Sequence, residues 1–145
     1  LWAGQKIGAY VNQGREPERH ASGHPGFVPY QAFDTADSPM LVCCGNDRLF
    51  RKFAAELGHP EWPEDPRFTT NRARLQHKDA LLPLIHAELR THPRAAWLDR
   101  LIPAGVPCAP INTVAELLEE PQAQAINMLV TPPGEDHRVT ALPLS

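Results

Sequence analysis

Proline is the residue that most constrains how this chain folds. Sixteen prolines occur among 145 residues, about twice the average usage of about 5%. Each proline removes a backbone amide donor and disfavours helical geometry in the residue before it. Because the prolines are scattered, they exclude a low-complexity linker and divide the chain into many short elements. The length is enough for one domain with its own core.

Two pairs of short apolar segments predict β-hairpins. "FVPYQAF" and "MLVCC" flank the polar turn "DTADSP", and "MLVTPP" and "HRVTALPL" flank residues 134–136. Turn-forming residues between apolar segments of this length are typical of antiparallel pairing.

Several helical patterns lie between and beside these hairpins. The clearest is "RLFRKFAAELG", whose apolar residues share one face and which ends in Gly58. Either Asn46 or Asp47 can cap it. "TNRARLQHKDALLPLIHAELRTH" has a broken helical pattern that contains Pro83. Pro83 requires either a position in the first turn or a kink.

Two further helices are predicted towards the C-terminus. "PRAAWLDRLIPAG" has core candidates at Trp97, Leu98, Leu101 and Ile102. Thr113-Val-Ala-Glu116 matches a capping box, in which the threonine hydroxyl and the glutamate carboxylate each satisfy a free amide. The order of hairpin, helices and hairpin predicts an α+β fold with a small antiparallel sheet and several short helices, and not an alternating βαβ fold.

Charge and cysteine usage limit the possible functions. The formal net charge is −3, and the mixed charges argue against nucleic acid and against a polybasic membrane surface as partners. No apolar run approaches the roughly 20 residues of a membrane span. Three cysteines, two of them adjacent, suggest reduced thiols in a cytoplasmic protein.

Few residues suggest chemistry on spacing alone. Cys108 in "AGVPCAPIN" has no neighbouring base, while Pro107 and Pro110 favour an extended edge strand, so we expect a structural role. Asp47 lies where a catalytic carboxylate could sit, but helix capping explains it more simply. His20 and His24 have a metal-like separation without further ligands. We therefore expect no metal site.

Three longer blocks together resemble a known family. "GHPGFVPYQAF", "CGNDRLFRKFAAELGHPEWPEDPRFTTNRARLQHKDAL" and "AGVPCAPINTVAELLEEPQAQAINMLV" are similar in order and spacing to the class III CoA-transferases, which include formyl-CoA and carnitine CoA-transferases. The resemblance implies an enzyme that moves CoA between carboxylic acids. An aspartate attacks the acyl-CoA thioester and forms a mixed anhydride. Coenzyme A thioester is then a substrate, and no cofactor is bound permanently.

The resemblance also implies which part of the enzyme this chain represents. Residues 1–14 are expected to be the end of a linking helix from a large domain, and residues 15–145 the small α+β domain. The nucleophilic aspartate belongs to the large domain, so no catalytic residue is expected here and the isolated chain is expected to be inactive. The complete enzyme is expected to be an interlocked homodimer acting on an acyl-CoA and a carboxylic acid acceptor.

The family resemblance identifies one candidate site segment. In the family, a glycine-containing loop before the first small-domain strand lies over the acyl end of CoA. His24, Tyr30 and Gln31 could bond an acyl carboxylate, or Tyr30 and Gln31 could be ordinary strand residues. The matching residues here are Gly23, His24, Pro25, Gly26, Tyr30 and Gln31.

Two alternative functions remain open on the sequence. The chain could be the small domain of a 2-methylacyl-CoA racemase, a related enzyme that uses proton transfer at the α-carbon. It could also be a free-standing interaction module without catalytic activity. The helical pattern that begins at Leu1 without a cap favours a piece of a larger enzyme over such a module.

Overall fold

The computed structural model describes residues 4–14, 16 and 19–140. Leu1, the first residue of the predicted N-terminal helix, and residues 141–144 of the last predicted strand lie outside these ranges. The helices are α1 Gly4–Gln13, α2 Asp47–Glu56, α3 Asn71–Gln76, α4 Lys78–Leu89, α5 Arg94–Leu101, α6 Val114–Glu119 and α7 Pro121–Ala125. The strands are β1 Tyr30–Phe33, β2 Met40–Cys43, β3 Cys108–Pro110, β4 Leu129–Val130 and β5 Val139–Thr140.

The first predicted hairpin is confirmed and is extended by a third strand. Strands β1 and β2 are antiparallel, and their register pairs Tyr30 with Cys43 and Phe33 with Met40. The sheet order is β1-β2-β3, and the Cys43 amide donates to the Pro107 carbonyl at 2.9 Å. Strand β3 is therefore an edge strand, as the two prolines around Cys108 predict.

The chain divides after Ala109 into two compact units. The first contains a core of buried side chains from β1, β2, α2, α4, α5 and the connector before α3, including five fully buried aromatic residues. Burying each such side chain contributes roughly 1.5–3 kcal/mol. The aromatic residues are Phe33, Phe50, Phe53, Phe68 and Trp97.

The second unit begins at Pro110 and contains the other predicted hairpin. Strands β4 and β5 are antiparallel, with Leu129 opposite Thr140. The capping box at the start of α6 is present, since the Thr113 side chain accepts from the Glu116 amide while the Glu116 carboxylate accepts from the Thr113 amide. Mixed short helices and small antiparallel sheets make the fold α+β.

Three local expectations are corrected. Asn46, and not Asp47, caps α2 by accepting from the Leu49 amide at 2.9 Å. Pro83 lies in the second turn of α4, and the helical pattern breaks earlier, at His77. Ile102 is 58% exposed and is not a core residue, because it follows the last residue of α5. No helix in the described ranges is both long and apolar enough to span a membrane.

Candidate functional site

The candidate segment forms a loop that joins directly to the first sheet. This glycine loop, residues 22–28, is tied to β1 at its start. The His24 amide donates to the Tyr30 carbonyl at 2.9 Å, and the Ala32 amide donates to the Ser22 hydroxyl at 3.2 Å. These bonds place His24 and Tyr30 next to each other, although five residues separate them along the chain.

Three aromatic rings pack together on the glycine loop. The centroid of His24 lies 4.9 Å from that of Phe27 and 5.1 Å from that of Tyr30. The Gly26 amide donates to His24 Nδ1 at 3.0 Å. The neutral imidazole therefore carries its proton on Nε2, which makes Nε2 a hydrogen-bond donor. His24 is an exposed residue, so the ring cluster lies at the surface of the loop.

Close packing disfavours any residue larger than glycine at position 23. A Cβ atom there would lie 3.0 Å from the His20 carbonyl oxygen and 3.4 Å from Gln31 Oε1. The contact with the backbone oxygen is tighter than an ordinary van der Waals contact, so a larger residue would require the start of the loop to shift by a few tenths of an ångström. Gln31 is thereby placed against the loop, while Pro25 is exposed.

Tyr30 also contacts the thiol of its cross-strand neighbour. Its hydrogen bond to Cys43 raises the pKa of the Tyr30 hydroxyl above its usual value, so the hydroxyl stays protonated near neutral pH. Burial raises the pKa of Cys43 as well. Neither group is an activated nucleophile, and Tyr30 acts here as a neutral donor.

A polar cluster around one buried arginine supports the other end of the glycine loop and was not predicted from the sequence. We call Asp47, Asn71 and Arg74 the loop anchor. Arg74 is fully buried. It donates from Nε to the Val28 carbonyl at 2.7 Å, from Nη1 to the Phe68 carbonyl at 2.9 Å and from Nη2 to Asp47 at 2.8 Å.

The anchor gives only a weak sequence signal. Asn71 and Arg74 occur in "DPRFTTNRAR", within a block that carries the family resemblance, but an arginine in a six-residue helix ordinarily faces solvent. Only the fold shows that its partners come from positions as distant as Val28 and Asp47.

Three aspartates in or near the first hairpin and α2 are engaged with other groups. Asp34 pairs with Arg90 at 3.1 Å, Asp37 accepts from the Arg94 amide at 2.8 Å, and Asp47 pairs with Arg74. Burial raises the pKa of the Cys108 thiol, which disfavours the reactive thiolate. Among the described residues, no group of three or more His, Cys, Asp or Glu side chains could hold a metal ion.

Comparison with known proteins shows which family the sequence matches. Residues 1–145 match CoA-transferase family III. Acetyl-CoA:oxalate CoA-transferase of Acetobacter aceti is 40% identical over 121 residues, which cover 83% of this chain and 31% of the relative. Succinate–glutarate CoA-transferase of Agrobacterium fabrum is 34% identical over 130 residues, which cover 90% of this chain and 32% of the relative.

Solved structures give the same result. The crystal structure of a CAIB/BAIF family protein from Brucella suis matches with a TM-score of 0.89 and 34% identity, covering 99% of this chain and 37% of that protein. The chain spans about a third of the length of the curated relatives it matches. On the match over its whole sequence, the chain belongs to CoA-transferase family III.

Proposed function

We propose that this chain is the small domain of an enzyme that transfers coenzyme A from one carboxylic acid to another. The observation that carries the proposal is the family match over all 145 residues, with relatives named as CoA-transferases that are about three times as long. Acyl-CoA and a carboxylic acid acceptor are the substrates. The complete enzyme is proposed to be a cytoplasmic, interlocked homodimer with no permanently bound cofactor.

The proposed chemistry is covalent catalysis by an aspartate outside this chain. Its carboxylate attacks the thioester carbonyl, the C–S bond breaks, and CoA thiolate leaves an acyl-aspartyl anhydride. CoA thiolate then attacks the aspartyl carbonyl and releases the first acid, which leaves an aspartyl-CoA thioester. The acceptor carboxylate displaces CoA thiolate from it, and the thiolate attacks the resulting anhydride to give the new thioester and the free aspartate. The engagement of Asp34, Asp37 and Asp47 with other groups supports a nucleophile elsewhere.

The glycine loop is proposed to cover the acyl end of CoA. A loop in this position excludes water from an anhydride and a thioester that water would otherwise hydrolyse. His24 Nε2 and the Gln31 amide are the donors proposed for a carboxylate on the acyl group, and the Tyr30 hydroxyl would join them by giving up its hydrogen bond to Cys43. The relatives named for oxalate, succinate and glutarate handle acids that carry such a second carboxylate.

Trapping the anhydride tests the proposal. The full-length protein is incubated with acyl-CoA, treated with hydroxylamine, which converts an activated carboxyl group to a hydroxamate, and digested for mass spectrometry. We expect a hydroxamate on one aspartate outside these 145 residues. A hydroxamate on Asp34, Asp37 or Asp47 would contradict the proposal, as would exchange of CoA between two acids by the isolated chain.

A second measurement distinguishes transfer from racemisation. A racemase removes the α-proton of a 2-methylacyl-CoA, so the full-length protein in D₂O would incorporate deuterium at that carbon without any acceptor acid. We expect acceptor-dependent formation of a new thioester instead. Deuterium incorporation without transfer would favour the racemase.

A further inference from the structure

The loop anchor contains a buried charge, and the groups that compensate for its burial show which segments the anchor connects. Arg74 is fully excluded from solvent, and a buried guanidinium is destabilising unless its charge and its donors are satisfied. Here Asp47 balances the charge, Val28 and Phe68 accept hydrogen bonds, and the cation lies 4.3 Å from the centroid of the Phe50 ring. The side chain joins the glycine loop, the connector before α3 and the first turn of α2.

Asn71 completes the anchor by holding both sides of one loop residue. Its Nδ2 donates to the Gly26 carbonyl at 2.8 Å, and its Oδ1 accepts from the Val28 amide at 3.1 Å. We call these two bonds the clasp. They enclose Phe27, which packs against His24. The Asn71 backbone amide in turn donates to Asp47 at 2.8 Å, so Asp47 holds Asn71 in place.

We infer that Asn71, held by Asp47, is a positioning residue that fixes Phe27 and the His24–Tyr30 ring cluster in the arrangement that the glycine loop has in this structure. This inference rests on the proposed function of the loop as a cover over the acyl group. It assigns to Asn71 no contact with substrate. Without the clasp, the loop opens more often and water reaches the acyl intermediate.

The first test measures the loop directly in the full-length protein. Asn71→Ala removes both clasp bonds, and Asn71→Asp keeps the acceptor for the Val28 amide but loses the donor to Gly26. The matched control is Thr70→Ala, which removes the cap of the same helix, where the Thr70 hydroxyl accepts from the Ala73 amide at 3.2 Å, without touching the loop.

Hydrogen–deuterium exchange reports the opening of residues 22–28. We expect exchange there to become roughly two- to tenfold faster in Asn71→Ala, as befits the loss of one or two hydrogen bonds. Asn71→Asp sets a carboxylate oxygen against the Gly26 carbonyl and should speed exchange at least as much, and Thr70→Ala should affect only the α3 segment. Unchanged exchange of the loop in Asn71→Ala overturns the inference.

The second test measures protection from water. Hydrolysis adds water across the thioester and yields the carboxylic acid and the CoA thiol, which a thiol reagent detects in the absence of acceptor. We expect the ratio of transfer to hydrolysis to fall several-fold in Asn71→Ala and to stay near that of the unmodified protein in Thr70→Ala. Lost stability alone would lower both reactions together, so an unchanged ratio overturns the inference.

Failure of the proposed function and failure of the positioning role of Asn71 give different results. If the unmodified full-length protein transfers no CoA, the proposed function is wrong, and the exchange measurement alone then decides whether Asn71 positions the loop. If transfer occurs while the loop or the ratio does not respond to Asn71→Ala, the positioning role is wrong and the proposed function stands.

Discussion

The carboxylate of Asp37 accepts a hydrogen bond from the Arg94 amide at 2.8 Å and another from the Thr35 hydroxyl at 2.8 Å. Helix α5 begins at Arg94 after Pro93, which offers no side-chain cap. Asp37 therefore supplies the missing cap from the turn between β1 and β2. These bonds lower the pKa of Asp37 from 3.8 to about 2, with the Arg94 amide as the main cause.

Asp37→Asn is expected to weaken this link in a pH-dependent way. Because the folded-state pKa is lowered, the charged form contributes stability at neutral pH that is lost as pH falls from about 3.8 to about 2. The variant should melt at a lower temperature than the unmodified 145-residue chain at pH 7, and the difference should vanish near pH 2. Circular dichroism across this range measures it.

The control for Asp37 is Asp34→Asn, because the Asp34–Arg90 pair is exposed on both sides. Exposed ion pairs contribute little to folding stability, so this variant should have a melting temperature close to that of the unmodified chain across the whole pH range. A constant difference for Asp37→Asn across the whole pH range would contradict the capping role of its charge.

Cys108 is expected to be dispensable for CoA transfer. Its thiol is half-buried against the core and its pKa is raised by burial and by Cys43, so it is neither a thiolate nor close to an activating base. Cys108→Ala should cost about 1 kcal/mol in packing and leave kcat of the full-length protein nearly unchanged. Loss of turnover in a well-folded variant would show a chemical role instead.

At the scale of elements, local patterns were sufficient where the partners of a segment lie close in sequence. Both hairpins, the apolar face of α2 and the Thr113 capping box were predicted because alternation, helical period and turn residues act over a few positions. The loop anchor was not predicted, since Arg74 finds Val28 and Asp47 only after folding. Likewise, the resemblance identified residues 23–26 as a candidate loop but could not indicate what holds it.

The connector between α2 and α3 is held to α4 by a second polar group, His59. Its Nδ1 lies 2.9 Å from Glu61 and its Nε2 3.4 Å from Glu88, while its ring stacks on Trp62 with centroids 4.2 Å apart. Partial burial lowers the pKa of His59, but the bonds to both carboxylates outweigh it, and the net effect is a raised pKa.

A raised folded-state pKa means that the protonated form is favoured by folding. This contribution is fully present below the usual value of 6.5 and is lost as pH rises through the folded-state pKa. We expect His59→Gln to lower the melting temperature more at about pH 5.5 than at about pH 8.5. Glu88→Gln should reduce the same pH dependence, and an equal effect of His59→Gln at both pH values would contradict it.

At the scale of the whole molecule, the two units differ in what stabilises them. The first contains a continuous core with fully buried residues such as Phe50, Phe53, Leu81 and Trp97. In the described part of the second unit, Ala123 is the buried apolar residue, and Val114 is 74% exposed. Helices of five or six residues are marginal without such packing, so the capping box has to supply much of the local order in α6.

This difference predicts unequal local stability in the 145-residue chain. Amides of β2, α2 and α4 should exchange with deuterium only on global unfolding, and amides of α6, α7, β4 and β5 should exchange earlier through local opening. Thr113→Ala removes the cap, at a cost of about 1 kcal/mol, and should speed exchange in α6 while leaving α2 unchanged.

Asn46→Ala is the matched variant, because it removes the cap of α2, whose Phe50 and Phe53 remain buried. Equal protection of α2 and α6 would mean that the second unit draws its stability from contacts other than its own apolar burial.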